Sequence, residues 1–442
     1  MSSDWETSSL LDHYDVRSGL SKPAKDFGSG FPFLTFKDVF YNYFAPAQLC
    51  DLVQSTEKDR VACSVLRGDV FLTRTSETMH ELGMSCVALR DYPDATFNGF
   101  CKRLRPKPDC RLVPEYVGYY LRSPPFRQAM LAMSTMSTRA SLNNEMIGRL
   151  EISFPSKALQ SRIAAILKSL DDRIALLRET NATLEAIAQA MFKSWFVNFD
   201  PVHAKQQGRA PEGMSEATAA LFPDSFEESG LGLVPRGWKV APIGDVVESV
   251  GGGTPDTKEL SYWEDGVHCW TTPKDLSGIQ APVLLTTERK LTDKGLAKVS
   301  SGLLPAGTLL LSSRAPIGYL AIAQAPMAIN QGYIAILPNS QLQPLFMLFW
   351  CRQNMEIIKG RANGSTFMEI SKKAFRPIPA VVSPASVIDA FMQVAGAMFE
   401  RIVSNEQQAQ TLATLRDTLL PRLISGQLRL PQAETALEEV AA

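Results

Sequence analysis

The stretch that decides the fold, residues 158–196, reads ALQSRIAAILKSLDDRIALLRETNATLEAIAQAMFKSWF. Its apolar side chains recur at alternating spacings of four and three residues, which is the seam of a coiled coil. The seam contains one polar residue, Asn181, of the kind that gives up stability to fix register. At about 1.5 Å per residue, the helix should be about 60 Å long.

The same pattern occurs again near the end of the chain. Residues 386–424 read SVIDAFMQVAGAMFERIVSNEQQAQTLATLRDTLLPRLI and repeat the seam, with Asn405 as its polar member. The alternative is two unrelated amphipathic helices, each packed on its own domain. The side chains predicted to form the coiled coil or to bind a partner are Ile163, Leu167, Leu170, Ile174, Leu177, Asn181, Leu184, Met191, Trp195, Phe196, Met398, Ile402, Asn405, Leu412 and Leu419.

The sequence before each helix is also repeated, more loosely. NGFCKRLRP at 98–106 parallels NQGYIAILP at 330–338, and GDVFLTR at 68–74 parallels GTLLLSSR at 307–314. Each block combines short β-rich runs with a helical segment and many turns. We therefore expect an α+β fold in which two globular domains alternate with two long helices that pair as an antiparallel coiled coil with pseudo-twofold symmetry.

The repeat also sets the expected domain boundaries. The predicted segments are a first domain over 1–155, a first helix over 156–200, a linker over 201–230, a second domain over 231–384, a second helix over 385–428 and a frayed acidic tail over 429–442. A chain of 442 residues is longer than a single core usually supports, which agrees with this division.

Composition narrows the class of protein. The 45% hydrophobic fraction is that of an ordinary globular protein, and no apolar run approaches the roughly 20 residues that span a bilayer. The polar start is not a secretory signal, so we expect a cytoplasmic protein with no membrane partner. Seven cysteines without a C-x-x-C pair and four scattered histidines predict neither a metal site nor a disulfide framework.

Two short stretches would fit an enzyme. SPPF at 123–126 resembles the NPPY/NPPF loop with which adenine-N6 methyltransferases hold a flipped base, and FGSG at 27–30 could be a glycine loop for S-adenosylmethionine. Such a loop must follow a strand and open a helix, and neither is expected there. The repeat replaces the two prolines by Gln353 and Asn354. We interpret SPPF as a helix start and keep a self-contained adenine-N6 methyltransferase as an alternative.

Two similar domains joined by long helices are suited to reading two DNA half-sites at a fixed spacing. At this point the motifs resemble a known family, the specificity (S) subunits of type I restriction-modification enzymes. The similar stretches are RSGLSKPAKDFGSGFPFLTFKDVF at 17–40, GGTPDTKELSYWEDGVHCWTTPKDL at 252–276 with the later LTDKGL, LLPAGTLLLSSRAPIGYLAI and INQGY, and the helix segments SRIAAILKSLDDRI and MFKSWF.

The resemblance implies a non-catalytic subunit with two target recognition domains that read an asymmetric bipartite site in double-stranded DNA. Its helices would bind two methyltransferase (M) subunits, and restriction/translocase (R) subunits would complete the complex. The chain itself would bind no cofactor; S-adenosylmethionine, ATP and Mg would belong to the partner subunits. The expected biological setting is DNA methylation and phage defence.

Base edges in the major groove are read by Arg, Lys, Asn, Gln, Ser and Thr, and such residues must lie on loops to reach the groove. The predicted DNA-binding residues are Ser21, Lys22, Arg74, Thr138, Arg139, Thr272, Lys274, Arg314, Asn330, Gln331, Ser365 and Thr366. The net charge of −1 leaves a coiled-coil scaffold that binds protein as a further alternative.

The aromatic residues that end the first helix allow two interpretations. Trp195, Phe196 and Phe199 could cap the coiled-coil core, or they could offer an apolar patch to a partner helix.

Overall fold

In the computed structural model, residues 5–76, 81–132, 140–364 and 368–441 are described. The chain forms two compact units. The first comprises Met1–Ile174 and Thr411–Ala442, and the second comprises Ala175–Gln410.

The helices and strands of the described residues are as follows. The strands are β1 Glu6–Ser9, β2 Tyr14–Ser18, β3 Phe27–Leu34, β4 Leu52–Val53, β5 Val70–Thr73, β6 Thr75–Ser76, β7 Ser85–Val87, β8 Thr96–Phe97, β9 Cys101–Pro106, β10 Ala140–Ser141, β11 Glu151–Phe154, β12 Phe226–Ser229, β13 Gly232–Pro235, β14 Lys239–Pro242, β15 Ser249–Val250, β16 His268–Thr271, β17 Val283–Leu284, β18 Lys290–Leu291, β19 Leu309–Ser312, β20 Leu320–Ala323, β21 Met327–Ile329, β22 Tyr333–Ile336 and β23 Pro379–Val382. The α-helices are α1 Leu10–His13, α2 Phe36–Tyr41, α3 Glu57–Ala62, α4 Pro114–Tyr120, α5 Pro124–Ala132, α6 Asn144–Gly148, α7 Lys157–Phe196, α8 Asp200–Gln206, α9 Glu216–Ala220, α10 Ile243–Val246, α11 Asp293–Leu296, α12 Pro344–Gln353, α13 Met355–Gly360, α14 Lys372–Phe375, α15 Ala385–Ile424 and α16 Leu430–Ala441.

The first unit contains the first α+β domain. Its main sheet has the strand order β2-β9-β5-β7, and a smaller sheet has the order β4-β3-β8, in which β3 and β8 are parallel. Strands β1 and β11 pair at the two ends of the domain sequence. The core includes Phe71 and Phe97, whose rings meet edge to face at 5.0 Å.

The second unit contains a domain of matching topology. Its main sheet has the order β15-β22-β19-β20-β17, its smaller sheet has the order β18-β16-β21 with β16 parallel to β21, and β14 pairs with β23. Four consecutive strands of the main sheet correspond in order to those of the first domain. The internal repeat therefore extends to the arrangement of the strands.

The turn that enters the central strand is also the same in both domains. Gly68 and Gly307 have φ values of +89° and +86°, a region that favours glycine. The Gly68 N–H donates to Ala88 O at 2.8 Å, and the Gly307 N–H donates to Ala323 O at 2.7 Å. These matching bonds show that β5 of the first domain corresponds to β19 of the second, as the sequence comparison predicted.

Helices α7 and α15 each contain 40 residues, so each would be about 60 Å long. In the second unit, Asn181 of α7 hydrogen-bonds Asn405 of α15, and Phe192 lies 5.8 Å from Phe391. Residue numbers rise along one helix as they fall along the other, so the helices pair antiparallel. In the first unit, Arg416 forms an ion pair with Asp171 at 2.6 Å.

Two segments have more structure than the sequence suggested. The expected linker, 201–230, includes α8, α9 and β12, and it buries Val202 and Phe222 in the core of the second unit. The tail is not frayed over its described residues: α16 buries Ala433, and Glu434 pairs with Arg162 of α7 at 3.0 Å. Both segments contain apolar side chains that pack against other parts of their unit. The composition of a segment does not predict such packing, because the surface it packs on comes from distant residues.

None of the helices in the part of the chain that the structure describes combines the length and apolarity needed to cross a membrane.

Candidate nucleic-acid interface

In the second domain, three chain segments converge where strands end. Strands β16 and β21 are parallel, so both finish at the same side of their sheet. There the Asn330 N–H donates to Thr271 O at 3.0 Å. The Asn330 side-chain Oδ1 accepts from the Gly332 N–H at 2.8 Å, and the Gly332 carbonyl accepts from Ser313 N, just after β19, at 2.8 Å. We call this set of loop residues, 271–275, 313–314 and 330–332, the second edge.

A capping interaction fixes the next turn of the second edge. The Asp275 carboxylate accepts from the Thr272 N–H at 2.7 Å and from the Thr272 hydroxyl at 3.0 Å. Because this interaction satisfies a backbone N–H at the start of the turn Pro273–Leu276, it holds the turn against the end of β16.

The first domain uses the same construction. The Asn98 N–H donates to Leu34 O at 3.1 Å, and its side-chain Oδ1 accepts from the Phe100 N–H at 2.8 Å. The Phe100 carbonyl in turn accepts from the Arg74 N–H, just after β5, at 2.7 Å. We call the corresponding loop residues, 34–38, 74 and 98–100, the first edge.

The capping interaction is repeated at the first edge as well. The Asp38 carboxylate accepts from the Thr35 N–H at 2.9 Å and from the Thr35 hydroxyl at 2.7 Å, at the start of α2. Both domains thus build their edge with hydrogen bonds of one threonine, one aspartate and one asparagine.

The second edge brings together five of the predicted DNA-binding residues, Thr272, Lys274, Arg314, Asn330 and Gln331. Thr272 and Asn330 are engaged in the internal hydrogen bonds just described. Gln331 is exposed and its Oε1 accepts from the Thr254 hydroxyl at 2.5 Å, while Arg314 lies 3.7 Å from Glu369. Lys274 is exposed on the turn Pro273–Leu276 of the same edge.

The first edge brings together fewer predicted residues. Arg74 lies on it, and Ser21 lies beside it, because a Cβ added to Gly99 would be 2.2 Å from the Ser21 Oγ. Lys22 instead pairs with Asp59 at 2.9 Å. The predicted residues Thr138, Arg139, Ser365 and Thr366 lie outside the described residues, and DNA contact by the whole predicted set stays a prediction.

A positively charged residue, Lys102, lies next to the first edge. Lys102 donates from Nζ to Ser18 Oγ at 3.0 Å and to Asn144 Oδ1 at 3.1 Å. Burial, together with the nearby charge of Arg74, lowers the pKa of Lys102. At the neighbouring ion pair, the Lys22 ammonium and the Thr56 N–H and hydroxyl lower the pKa of Asp59 to about 2.

Sequence reasoning did not select Thr35, Asn98 or Phe100. Asn98 was visible in the alignment of NGF with NQG, where it occupies the same place as Asn330. Thr35 could have been found from the spacing Thr-x-x-Asp, which both edges share.

The family model for the type I restriction modification DNA specificity domain matches residues 2–186 and 235–382. The chain belongs to this specificity family. It is therefore the DNA sequence-specificity subunit of a type I restriction-modification system, a non-enzymatic role.

Individual relatives agree. The specificity subunit is 28% identical over 340 residues to the type I restriction enzyme HindI specificity subunit of Haemophilus influenzae. The aligned region covers 68% of this chain and 73% of that relative. It is 22% identical over 440 residues to the putative type I restriction enzyme MjaX specificity subunit of Methanocaldococcus jannaschii, with 97% and 94% covered. The crystal structure of the type I restriction-modification S subunit from M. genitalium has a similar fold, with a TM-score of 0.55, 14% identity and 96% and 97% coverage.

The enzyme alternative fails on the local structure of its two motifs. In the specificity subunit, SPPF begins helix α5, and the Ser123 hydroxyl donates to Tyr120 O at 2.6 Å. FGSG lies within strand β3 rather than in a loop that opens a helix. The prediction that SPPF shapes a helix start is confirmed.

The predicted seam residues lie mostly inside the specificity subunit. Ile163, Leu167, Leu170, Ile174, Leu177, Asn181, Ile402, Asn405, Leu412 and Leu419 are buried, whereas Leu184, Met191 and Met398 are partly buried. Buried side chains have no surface to offer a partner subunit, so any effect of theirs on a partner would act through the shape of the helix pair.

The aromatic end of α7 is part of the second unit's core. Phe196 lies 4.9 Å from Phe346 and 5.3 Å from Phe391, while Trp195 meets Phe222 at 5.2 Å. Of the two interpretations left open, Trp195 and Phe196 therefore fit the core-capping one. Phe192, which the seam pattern omitted, is 1% exposed at the centre of this cluster.

Proposed function

We propose that the specificity subunit reads an asymmetric bipartite target in double-stranded DNA, one half with each edge. The first domain, over 1–155, would read one half, and the second, over 231–384, would read the other. The helices over 156–200 and 385–428 would connect the domains, and 201–230 and 429–442 would support the helices.

The main observation that supports this proposal is that the two edges share one set of hydrogen bonds but carry different side chains. We call the shared hydrogen bonds the frame. The hydrogen bonds of Asn98 match those of Asn330 within a few tenths of an ångström. Each edge carries one arginine, Arg74 or Arg314. The other side chains around the shared frame differ, with Phe100 at the first edge and Gln331 at the second. A common frame with different side chains is what two different half-sites require.

The partners follow from the family. We infer that two methyltransferase subunits bind the outer surface of the α7 and α15 pair, and that restriction/translocase subunits join that assembly. S-adenosylmethionine would then reside in the methyltransferase subunits, and ATP and Mg would act in the translocase subunits. Such a complex acts on DNA in the cytoplasm.

The test compares the host's methylated adenines with and without this chain. Deleting the gene should remove a bipartite adenine mark found by single-molecule methylome sequencing, and restoring the chain should return it. In parallel, fluorescence anisotropy of the assembled complex on the marked duplex should show affinity that falls steeply with salt. A methylome unchanged by the deletion, with no salt-dependent binding, would favour a protein-binding scaffold instead.

A further inference from the structure

One aromatic side chain stands out on the first edge. Phe100 is 62% exposed, although burial of a phenyl ring would stabilise the fold. Single exposed apolar residues are common on protein surfaces, so exposure alone gives Phe100 no role. The residues around Phe100 are what indicate a role for it.

The backbone of Phe100 is held from both sides. Its N–H donates to the Asn98 side chain at 2.8 Å, and its carbonyl accepts from Arg74 N at 2.7 Å. The preceding Gly99 packs so closely that an added Cβ would lie 2.2 Å from the Ser21 Oγ. The phenyl ring is therefore presented from a fixed position, which reduces the entropy lost on binding.

Two cationic residues lie close to Phe100. Arg74 is bonded through its backbone to Phe100, and Lys102 lies two residues further along, with its pKa lowered by burial and by the Arg74 charge. A base-reading surface needs cations for the phosphates and specific groups for the base edges. The first edge supplies both kinds.

The second edge differs at the position of Phe100. Gly332 occupies the place of Phe100, with its N–H bonded to Asn330 Oδ1 at 2.8 Å. A Cβ on Gly332 would lie 3.0 Å from the Pro273 Cγ, so a larger side chain is disfavoured there. The hydrogen bonds that both edges share cannot distinguish two half-sites, because they are the same in both domains. The position of Phe100 and Gly332 can distinguish them, because its side chain differs.

We propose that Phe100 is a specificity-determining residue that reads a thymine in the first half-site through its 5-methyl group. This inference rests on the proposed function, in which the first domain binds one half of the target. The thymine methyl is the apolar group that the major groove exposes, and a phenyl ring is a suitable contact for it.

The test uses the complex with its methyltransferase subunits and the bipartite target found by methylome sequencing. Each thymine of the first half-site is replaced in turn by deoxyuridine, which lacks only the 5-methyl group. At one position the wild-type complex should bind about fourfold more weakly, the value for one buried methyl-sized group. Phe100→Ala should bind the thymine duplex with a similar loss, and deoxyuridine should then cause no further loss. Phe100→Leu should retain part of the preference.

The matched control is Phe27→Ala. Phe27 is 40% exposed and begins β3, at the opposite end of the strand from the first edge, so the thymine preference should persist. If Phe100→Ala keeps the wild-type thymine preference, the inference is overturned. A uniform loss on every duplex would indicate ring insertion between bases and would also overturn it. A wild-type complex without any bipartite target would instead contradict the proposed function itself.

Discussion

At the scale of single residues, the ion pair between Lys22 and Asp59 makes the predicted DNA contact of Lys22 testable. The Lys22 ammonium is 2.9 Å from the Asp59 carboxylate and must leave it, or share it, to meet a phosphate. Asp59→Asn should therefore free Lys22. We expect the salt dependence of duplex binding, measured by anisotropy, to steepen by about 0.9 in logarithmic slope, the value of one added phosphate contact. An unchanged slope would contradict a contact by Lys22, and Lys22→Met provides the reciprocal control.

The same pair gives a pH dependence with a defined sign. Asp59 has a pKa of about 2 in the fold, below the ordinary value of about 3.9 for an aspartate. Its ionised form therefore stabilises the fold above pH 4, and this contribution is lost as the pH falls towards 2. The difference in urea midpoint between the wild type and Asp59→Asn should shrink over that range. A difference that is constant from pH 6 to pH 3 would be inconsistent with the ion pair.

The polar residues of the two edges show what sequence reasoning could and could not decide at this scale. Thr272 and Asn330 were selected as base readers because they are polar and lie on loops, but the structure uses both in hydrogen bonds of the frame. Threonine and asparagine serve equally as caps and as readers, so type and position do not separate the roles. The repeat adds one observation: Asn98 recurs at Asn330, and both residues make the same hydrogen bonds in their own domain.

At the scale of elements, the paired asparagines of the helices should resist single substitution. Asn405 Nδ2 donates to Asn181 Oδ1 at 2.8 Å, and both residues are almost fully buried. Asn405→Leu leaves the Asn181 oxygen without that donor, which should destabilise the protein by about 1–3 kcal/mol. In the double variant Asn181→Leu, Asn405→Leu, apolar packing should recover most of this loss, at the expense of register. Urea denaturation of the three variants measures the coupling, and simple additivity would show that the two side chains act independently.

The helix pair should also be required for partner assembly. Leu170 is 2% exposed in the first unit, so Leu170→Glu buries an unpaired charge and should cost about 4 kcal/mol or more. Loss of helix pairing should then abolish co-purification of the methyltransferase subunit. Leu170→Met conserves volume and should cost less than about 1.5 kcal/mol, with assembly retained. If the glutamate variant kept its thermal midpoint and its partner, the helices would not be the platform.

Among the elements, the long helices were the most predictable because a period of three and four residues sustained over 40 residues has one structural solution. The strands VFLT and LLLSS were also found, as β5 and β19. The short helices α8 and α9 and the tail helix α16 were not. Their stability depends on surfaces contributed by distant residues, such as the cluster around Phe222, and a local pattern does not contain that information.

At the scale of the whole molecule, the prediction is modular readout. Each edge is assembled from hydrogen bonds within its own domain, so exchanging residues 231–384 for the second domain of another specificity subunit should change one half of the methylated target and leave the other intact. The exchange must preserve packing on α7, because Phe346 lies 5.1 Å from Phe192 and Phe349 lies 6.0 Å from it. A second chimera that exchanges only 251–337 keeps α12, β14 and β23, and it should give the same altered half-site. Methylome sequencing of cells carrying each chimera reads the outcome directly. If both halves of the target changed, each domain's edge would depend on the other domain, and the half-sites would not be read independently.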